Sequence, residues 1–293
     1  MNTNCIRTLM AKTLPYSIRK VIPLRIAQHL YFNGVFQARL KGKKIVKLMH
    51  AGHQIENEIY WRGFEGCHEK KSMDIFACII QHLGPLVVWD IGANSGTYGL
   101  LAKALNSDCE VVFFEPIPKA VEMIKTNLRL NGFEEKVFEI AVGDFNGEGE
   151  IFFEKGHDFA TSVTVNKNTV SDGLESEVVK IEVRRLDSLI TEQSLKTPEL
   201  VKLDVETYEY EVLKGWGGKF PMSAIFLVEI LRDDLAIRLT EFFPADRYDF
   251  WNIDDRNKSM SKIAKLGKSD FYNILIIPAS KSEAFKNLPG FAQ

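Results

Sequence analysis

Cysteine is scarce and poorly placed for chemistry: Cys5, Cys67, Cys78 and Cys109 lie far apart, with no C-x-x-C pair, in a chain of 293 residues. This excludes a metal knuckle, a redox dithiol and a disulfide scaffold, and reads as reduced thiols in a cytosol. Long apolar runs are missing as well. The best stretch, residues 21–36, is broken by Pro23, Arg25, Gln28, His29 and Asn33, and a membrane span takes roughly 18–20 apolar residues in a row. Arg7 and Lys12 interrupt the continuous apolar centre that a secretory leader needs, and the start lacks the serine enrichment of a transit peptide. A cytoplasmic protein is expected. The third absence is acid. Residues 1–55 hold ten Lys and Arg and no carboxylate before Glu56. The whole chain has 37 basic and 39 acidic residues, net −2, so residues 56–293 carry 27 against 39, net −12. There is no repeat and no low-complexity segment, and at 45% hydrophobic residues the chain can bury a sizeable core.

What is present begins with pattern. Residues 1–55 read as short helices broken by Pro15, Pro23, Gly34 and Gly42. Met73, Phe76, Ala77, Ile80 and Leu83 recur at helical spacing until Gly84-Pro85. Residues 86–91 are then a near-continuous apolar run, as in a strand buried on both faces. A glycine-rich turn, a helix through Tyr98 and Leu105, a strand over 111–115, a helix from Pro118 to Asn131-Gly132 and a strand over 137–142 complete a βαβαβ unit. Residues 143–183 break the alternation and predict an inserted or edge hairpin around a polar loop. Strand 200–204, helix 208–215, strand 224–230, helix 232–242 and a late strand pair at 246–251 and 271–277 follow. The expected fold is α/β: a doubly wound, mostly parallel seven-stranded sheet with a β-hairpin-type insert and an N-terminal helical extension. In domain terms, residues 1–57 form a basic, mainly helical extension and residues 58–293 one domain.

The turn Asp90-Ile91-Gly92-Ala93-Asn94-Ser95-Gly96-Thr97-Tyr98 carries the first chemistry. Glycines let backbone approach a ligand closely, and a helix N-terminus offers free N–H groups. A dinucleotide site uses G-x-G-x-x-G, but Asn94 holds the middle position and Asp90 would repel a diphosphate. A sulfonium ligand with an ammonium, a carboxylate and a ribose suits the turn better, as in S-adenosylmethionine (SAM). Glu115, at the end of the second strand, is placed to accept from ribose hydroxyls, in SAM and NAD alike. Asp144 would accept from an adenine amino group, or is a turn-forming residue ahead of Asn146-Gly147.

Five ordered segments, VVWDIGANSGTYGLLAK, FFEPIPKAVEMIKTNLRLNG, IAVGD, VKLDVETYEYEVLKG and FLVEI, resemble the FkbM family of SAM-dependent methyltransferases across residues 58–278. The resemblance implies a class I, Rossmann-like methyltransferase that methylates a hydroxyl of a sugar, glycan or natural product. It places cofactor contacts at Asp90, Gly92, Asn94, Gly96, Glu115 and Asp144. Thr207 departs from the pattern, standing where the family usually has glycine. A turn with φ > 0 there would strain a β-branched residue. Alternatives are a methyltransferase for a non-carbohydrate acceptor, a non-catalytic SAM- or glycan-binding module, and a nicotinamide dehydrogenase.

Methyl transfer to oxygen needs an aligned hydroxyl and a group to take its proton. Asp204, Glu206 and Glu229 stand at the carboxyl ends of predicted strands. One of them could act as base, or together they could hold a divalent metal. Their plainer reading is as acids stabilised by a helix dipole. His157, in the polar insert, is a candidate base near neutral pH or a solvated loop histidine. Lys202 lies within a strand and needs a partner, as an ion pair or a catalytic group. Trp61, Phe64, Tyr98, Tyr208 and Trp216 could line a sugar site or belong to the core. The basic arm carries no nucleic-acid motif. It suits an anionic membrane surface, at about 1 kcal/mol per basic residue, or a cap packed on the acidic body. The acceptor is expected to be a small molecule or glycan. Nothing in the sequence specifies an oligomeric state.

Overall fold

The apolar runs become strands buried on both faces. The structure, a computed structural model, describes residues 14–23, 26, 33–40, 44–51, 54–64, 66, 67, 69–154, 176–268, 273–286, 288, 289 and 291. In chain order its main elements begin with strands β1 (Asn33–Arg39) and β2 (Ile45–Ala51) and helices α1 (Gln54–Arg62) and α2 (Lys70–Leu83). There follow β3 (Val87–Ile91), α3 (Thr97–Leu105), β4 (Glu110–Phe114), α4 (Pro118–Asn131), β5 (Lys136–Phe138) and β6 (Ala141–Val142). Next come β7 (Gly147–Glu154), β8 (Ser176–Arg184), α5 (Leu186–Glu192), β9 (Leu200–Leu203), α6 (Glu209–Gly215), β10 (Ile225–Glu229) and α7 (Asp233–Leu239). Strands β11 (Tyr248–Asp254), β12 (Ser259–Ile263) and β13 (Asn273–Pro278) close the fold.

The large sheet runs β12-β11-β13-β10-β9-β3-β4-β5. Its five strands from β10 to β5 are mutually parallel, while β13 is antiparallel to β10 and β11, as β12 is to β11. The two-residue side-chain period sends Val88, Phe113, Leu200 and Leu227 into the core beneath α2, α3 and α4. Trp89, Val112, Val201 and Phe226 point the other way, into the core with α5, α6 and α7. Helices on both faces make this the doubly wound α/β fold read from the sequence.

Three details correct the expectation. Residues 33–39 and 45–51 pair as antiparallel strands, a β-hairpin and not helices, with Asn33 opposite Ala51 and Arg39 opposite Ile45. Phe36, Ala38, Leu40, Val46 and Leu48 alternate into the core while Gln37, Arg39 and Lys47 face out, a period of two that the flanking glycines and prolines obscured. The sheet has eight strands, not seven, because β12 adds to the edge; it is largely exposed and carries no apolar run. The third strand is split: β5 stays in the large sheet, and β6 joins the insert hairpin in a separate sheet, β6-β8-β7. The hairpin itself, β7 against β8, is as predicted.

Helix α1 runs through the expected domain boundary at residue 57, and the hairpin shares its apolar cluster with α4. Two asparagines of α4 fasten it. Asn127 Oδ1 accepts from the Met49 N–H at 2.8 Å, and Asn131 accepts from the Lys47 N–H at 2.8 Å and donates to its carbonyl at 2.7 Å. Cys67, Cys78 and Cys109 are buried free thiols. Among the described residues no helix is long and apolar enough to cross a membrane.

Candidate active site

The order of the sheet fixes where a ligand goes. From β3 the chain winds outward through β4 and β5, then returns to place β9 on the other side of β3. Ligands of open α/β sheets bind beyond the carboxyl ends of the strands at such a switch point. A cavity of about 400 Å³ opens there, lined by Asp90, Gly92, Asn94, Glu115, Asp204, Glu206 and Glu229 among others. At its floor β3 and β9 nearly touch: a Cβ on Gly92, at φ +76°, would lie 1.7 Å from the Asp204 carbonyl oxygen. No other residue fits at Gly92 without parting the strands.

On the β3–β4 side, backbone and buried acids answer one another. Asp90 Oδ2 accepts from the Gly99 N–H at 2.9 Å, capping the first turn of α3. Glu115 accepts from the Asn94 N–H at 2.8 Å through one oxygen and from the Ile117 N–H at 2.9 Å through the other. Both acids are almost fully buried, and burial first of all pushes each up to about 7. Asn94 is left-handed at φ +49°, which asparagine tolerates. Gly96, at φ +80°, starts α3 behind the cavity wall, and a Cβ there would press on Ile124. Asp144 does not reach the cavity; its carboxylate pairs with Lys214 at 2.7 Å.

The β9–β10 side is built on a buried lysine. Lys202 is only 2% exposed. Its Nζ donates to Asp204 Oδ2 at 2.9 Å and to Asn273 Oδ1 at 3.2 Å, and lies 5.2 Å from the Tyr98 ring centre. Burial works against its charge, but Asp204, Glu69 and Glu229 outweigh it and hold the ammonium above its ordinary range. The lysine is an ion-pair partner, one of its two expected readings. Glu229 is strongly raised by burial and by Asp204, with which it shares a hydrogen bond. Glu206 is pushed up to about 8, by burial first and then by Asp204 and Glu209.

After Asp204 the chain turns sharply through two left-handed residues, Glu206 at φ +53° and Thr207 at φ +77°. Thr207 thus adopts a left-handed backbone that strains a β-branched residue. Glu209 holds the turn: its Oε1 accepts from the N–H groups of Val205 at 3.1 Å and Thr207 at 3.3 Å.

Sequence reasoning missed Glu69, Asn273 and Glu209. Glu69 accepts from Asn273 Nδ2 at 2.9 Å and from the Tyr98 hydroxyl at 3.3 Å. Asn273 left a signal, being an amide at the head of an apolar strand. Of the five aromatics, Tyr98 and Tyr208 line the cavity, whereas Trp61, Phe64 and Trp216 are core. Among the described residues no three His, Cys, Asp or Glu side chains are grouped to hold a metal ion. His157 lies outside the described residues.

Strand order, glycine turn and strand-end acids together define a Rossmann-like fold of the class I methyltransferase type. Residues 90–250 match the methyltransferase FkbM domain, and the chain belongs to that family. The hexuronic acid methyltransferase AglP of Haloferax volcanii is 28% identical over 152 residues, covering 49% of this chain and 55% of that protein. The 2-O-methyltransferase NoeI of Sinorhizobium fredii is 28% identical over 139 residues, covering 44% and 56%. The chain thus spans little more than half the length of these relatives. Among solved structures, a SAM-dependent O-methyltransferase of Thermotoga maritima has a TM-score of 0.41 at 12% identity, over 83% of this chain and 77% of its own.

Proposed function

We propose that this chain transfers a methyl group from S-adenosylmethionine to a hydroxyl of a sugar or glycan. The observation that carries the reading is one cavity with two kinds of wall. Asp90 and Glu115 suit a cationic, ribose-bearing ligand, and Asp204 offers a carboxylate to a hydroxyl. SAM, when bound, supplies a methyl group already activated on a sulfonium. The residues fit it: the cavity lies within the roughly 300–1,000 Å³ of small-molecule sites, and a diphosphate would face the two acids Asp90 and Glu115 there. Asp90 would answer the ligand's ammonium. Glu115 keeps acceptor capacity for ribose hydroxyls beyond its two N–H bonds, and Gly92, Asn94 and Gly96 shape the turn whose N–H groups would meet the carboxylate. Asp204 takes the acceptor's hydroxyl proton as the oxygen gains the methyl group, and Lys202 fixes the orientation of that carboxylate. Glu206 lines the same end and positions the acceptor. The names of AglP and NoeI, a hexuronic acid and a 2-O-methyltransferase, support a sugar hydroxyl.

The test is direct. The protein should bind SAM and not NAD, and should pass labelled methyl to a glycan. NAD binding without SAM binding would sink the reading, and SAM binding with transfer to no acceptor of any class would favour a non-catalytic module. Contact of the basic arm with an anionic membrane surface is a separate proposal, carried by its ten positive charges. Co-sedimentation of the full chain with anionic but not neutral vesicles would support it.

A further inference from the structure

The N-terminal hairpin and the glycine turn meet on one side chain. Asn127 of α4 is fully buried and is not among the residues lining the cavity. Its Oδ1 accepts from the Met49 N–H of β2 at 2.8 Å, and its Nδ2 donates to the Ser95 carbonyl at 3.2 Å. A backbone N–H can only donate and a carbonyl can only accept, so one orientation of the amide satisfies both. Ser95 is itself buried, between left-handed Asn94 and Gly96. The peptide joining Ser95 to Gly96 is thus held at both ends. Asn127 takes its carbonyl, and its N–H donates to the Ala93 carbonyl at 2.7 Å. Helix α1, which follows the hairpin, reaches the same turn. Burial pushes the Glu56 carboxyl up and Ser95 opposes the push, while Gln54 and Ile55 line the cavity together with Asn94, Ser95 and Thr97. Hairpin and α1 both precede residues 90–250, the part matched to the family.

We infer that Asn127 is a positioning residue for the glycine turn, and that the seating of the hairpin and α1 is coupled to the binding of SAM. The inference rests on the SAM reading above and goes beyond it, since it gives a segment outside the matched residues a part in the site. Unseating the hairpin would remove the donor that orients the Asn127 amide, and with it the fixed direction of the Ser95–Gly96 peptide. It would also carry Gln54 and Ile55 out of the cavity wall. SAM then binds the seated state, and a ligand that binds one of two states favours that state by mass action. The coupling runs both ways. The cofactor holds the hairpin in place as the hairpin shapes the turn.

Hydrogen exchange and calorimetry on the full chain, with SAM as the ligand, decide the matter. Amides of β1 and β2 should exchange at least about tenfold more slowly at saturating SAM, because exchange through the unseated state falls as free SAM rises above its Kd. Amides of β12, at the exposed far edge of the large sheet, should slow much less. These two readouts need no variant. Asn127→Leu, close in volume but without donor or acceptor, should weaken SAM binding by about tenfold through the lost hydrogen bonds. Asn131→Ala removes the ties to Lys47 and leaves the Asn127 amide in place. It should speed exchange in β1 and β2 yet keep SAM affinity within about threefold of the wild type, since the seated state still dominates. Slowing that is absent from the hairpin, or equal there and in β12, would overturn the inference and leave SAM binding standing. So would Asn127→Leu binding SAM as tightly as Asn131→Ala does. A wild-type chain that binds no SAM would count against both.

Discussion

The two walls of the cavity are built to different standards. On the β3–β4 side, left-handed backbone falls on Gly92, Asn94 and Gly96, residues that adopt it at little cost. The buried acids there, Asp90 and Glu115, accept hydrogen bonds from backbone N–H groups. On the β9–β10 side the left-handed positions fall on Glu206 and Thr207, which do not favour it. The Thr207 hydroxyl and one Glu209 oxygen are buried without a hydrogen-bond partner. Such backbone positions cost on the order of 1–3 kcal/mol each. They persist here because Glu209 clamps the turn and Gly92 lets it seat against β3. A relaxed wall suits the part of a site that holds a constant ligand, and a strained one the part that places a reacting atom.

The sharpest way to break this comparison is Asp204→Asn. Its turnover should fall by about 10²–10⁴-fold while SAM affinity stays within about threefold. Affinity that falls in step with turnover would show that the walls do not divide the labour. Glu115→Ala is the converse. SAM binding should weaken by about 10- to 100-fold, as loss of hydrogen bonds at a buried acid costs about 1.5–3 kcal/mol, with turnover at saturating SAM much less affected.

The third test is pH. Asp90 and Glu115 are pushed up to about 7 and Glu206 and Glu209 to about 8, all mainly by burial. The folded protein therefore keeps protons that the unfolded chain loses above about pH 4. Their contribution to stability is complete below that pH and is lost as pH rises to about 8. The melting temperature of the free protein should drop by at least about 4 °C between roughly pH 5 and pH 8, and bound SAM should shrink the drop. A flat profile would mean the acids are not buried as charged groups. Smallest is Thr207→Gly, which removes the strain and should raise the melting temperature by about 2–4 °C per kcal/mol recovered. A gain in stability with unchanged turnover would show that the strain does no positioning.

The relaxed wall was also the legible one. Strands β3 and β4 showed as apolar runs because both faces are covered, and the turn showed because glycine spacing is local. The other wall depends on partners far apart: Glu69 meets Asn273 across 204 residues, and no local pattern announces such a pair. Glu209 looked like any acid in the first turn of a helix. Asp144 occupied the right motif position, yet Lys214, 70 residues on, takes its carboxylate. Strand β12 escaped because an exposed edge carries no apolar signature. The arm was misread because breakers at its ends drew attention from the alternation between them. Its packing also changes how membrane contact should be tested. Deleting residues 1–55 would strip Val46 and Leu48 from the core, so exposed basic residues should be neutralised instead.

The asparagine clamp has a consequence in time. The hairpin leaves the ribosome well before α4, but Met49 and Lys47 bond to side chains 78 and 84 residues further along. At about 5–20 residues per second, the newborn chain spends several seconds with Phe36, Val46 and Leu48 made and their berth on α4 still unwritten. Asn127 also donates to the Ser95 carbonyl at 3.2 Å, so the berth and the glycine turn are finished by the same residue. A segment made before α4 thus waits for α4 to find its place.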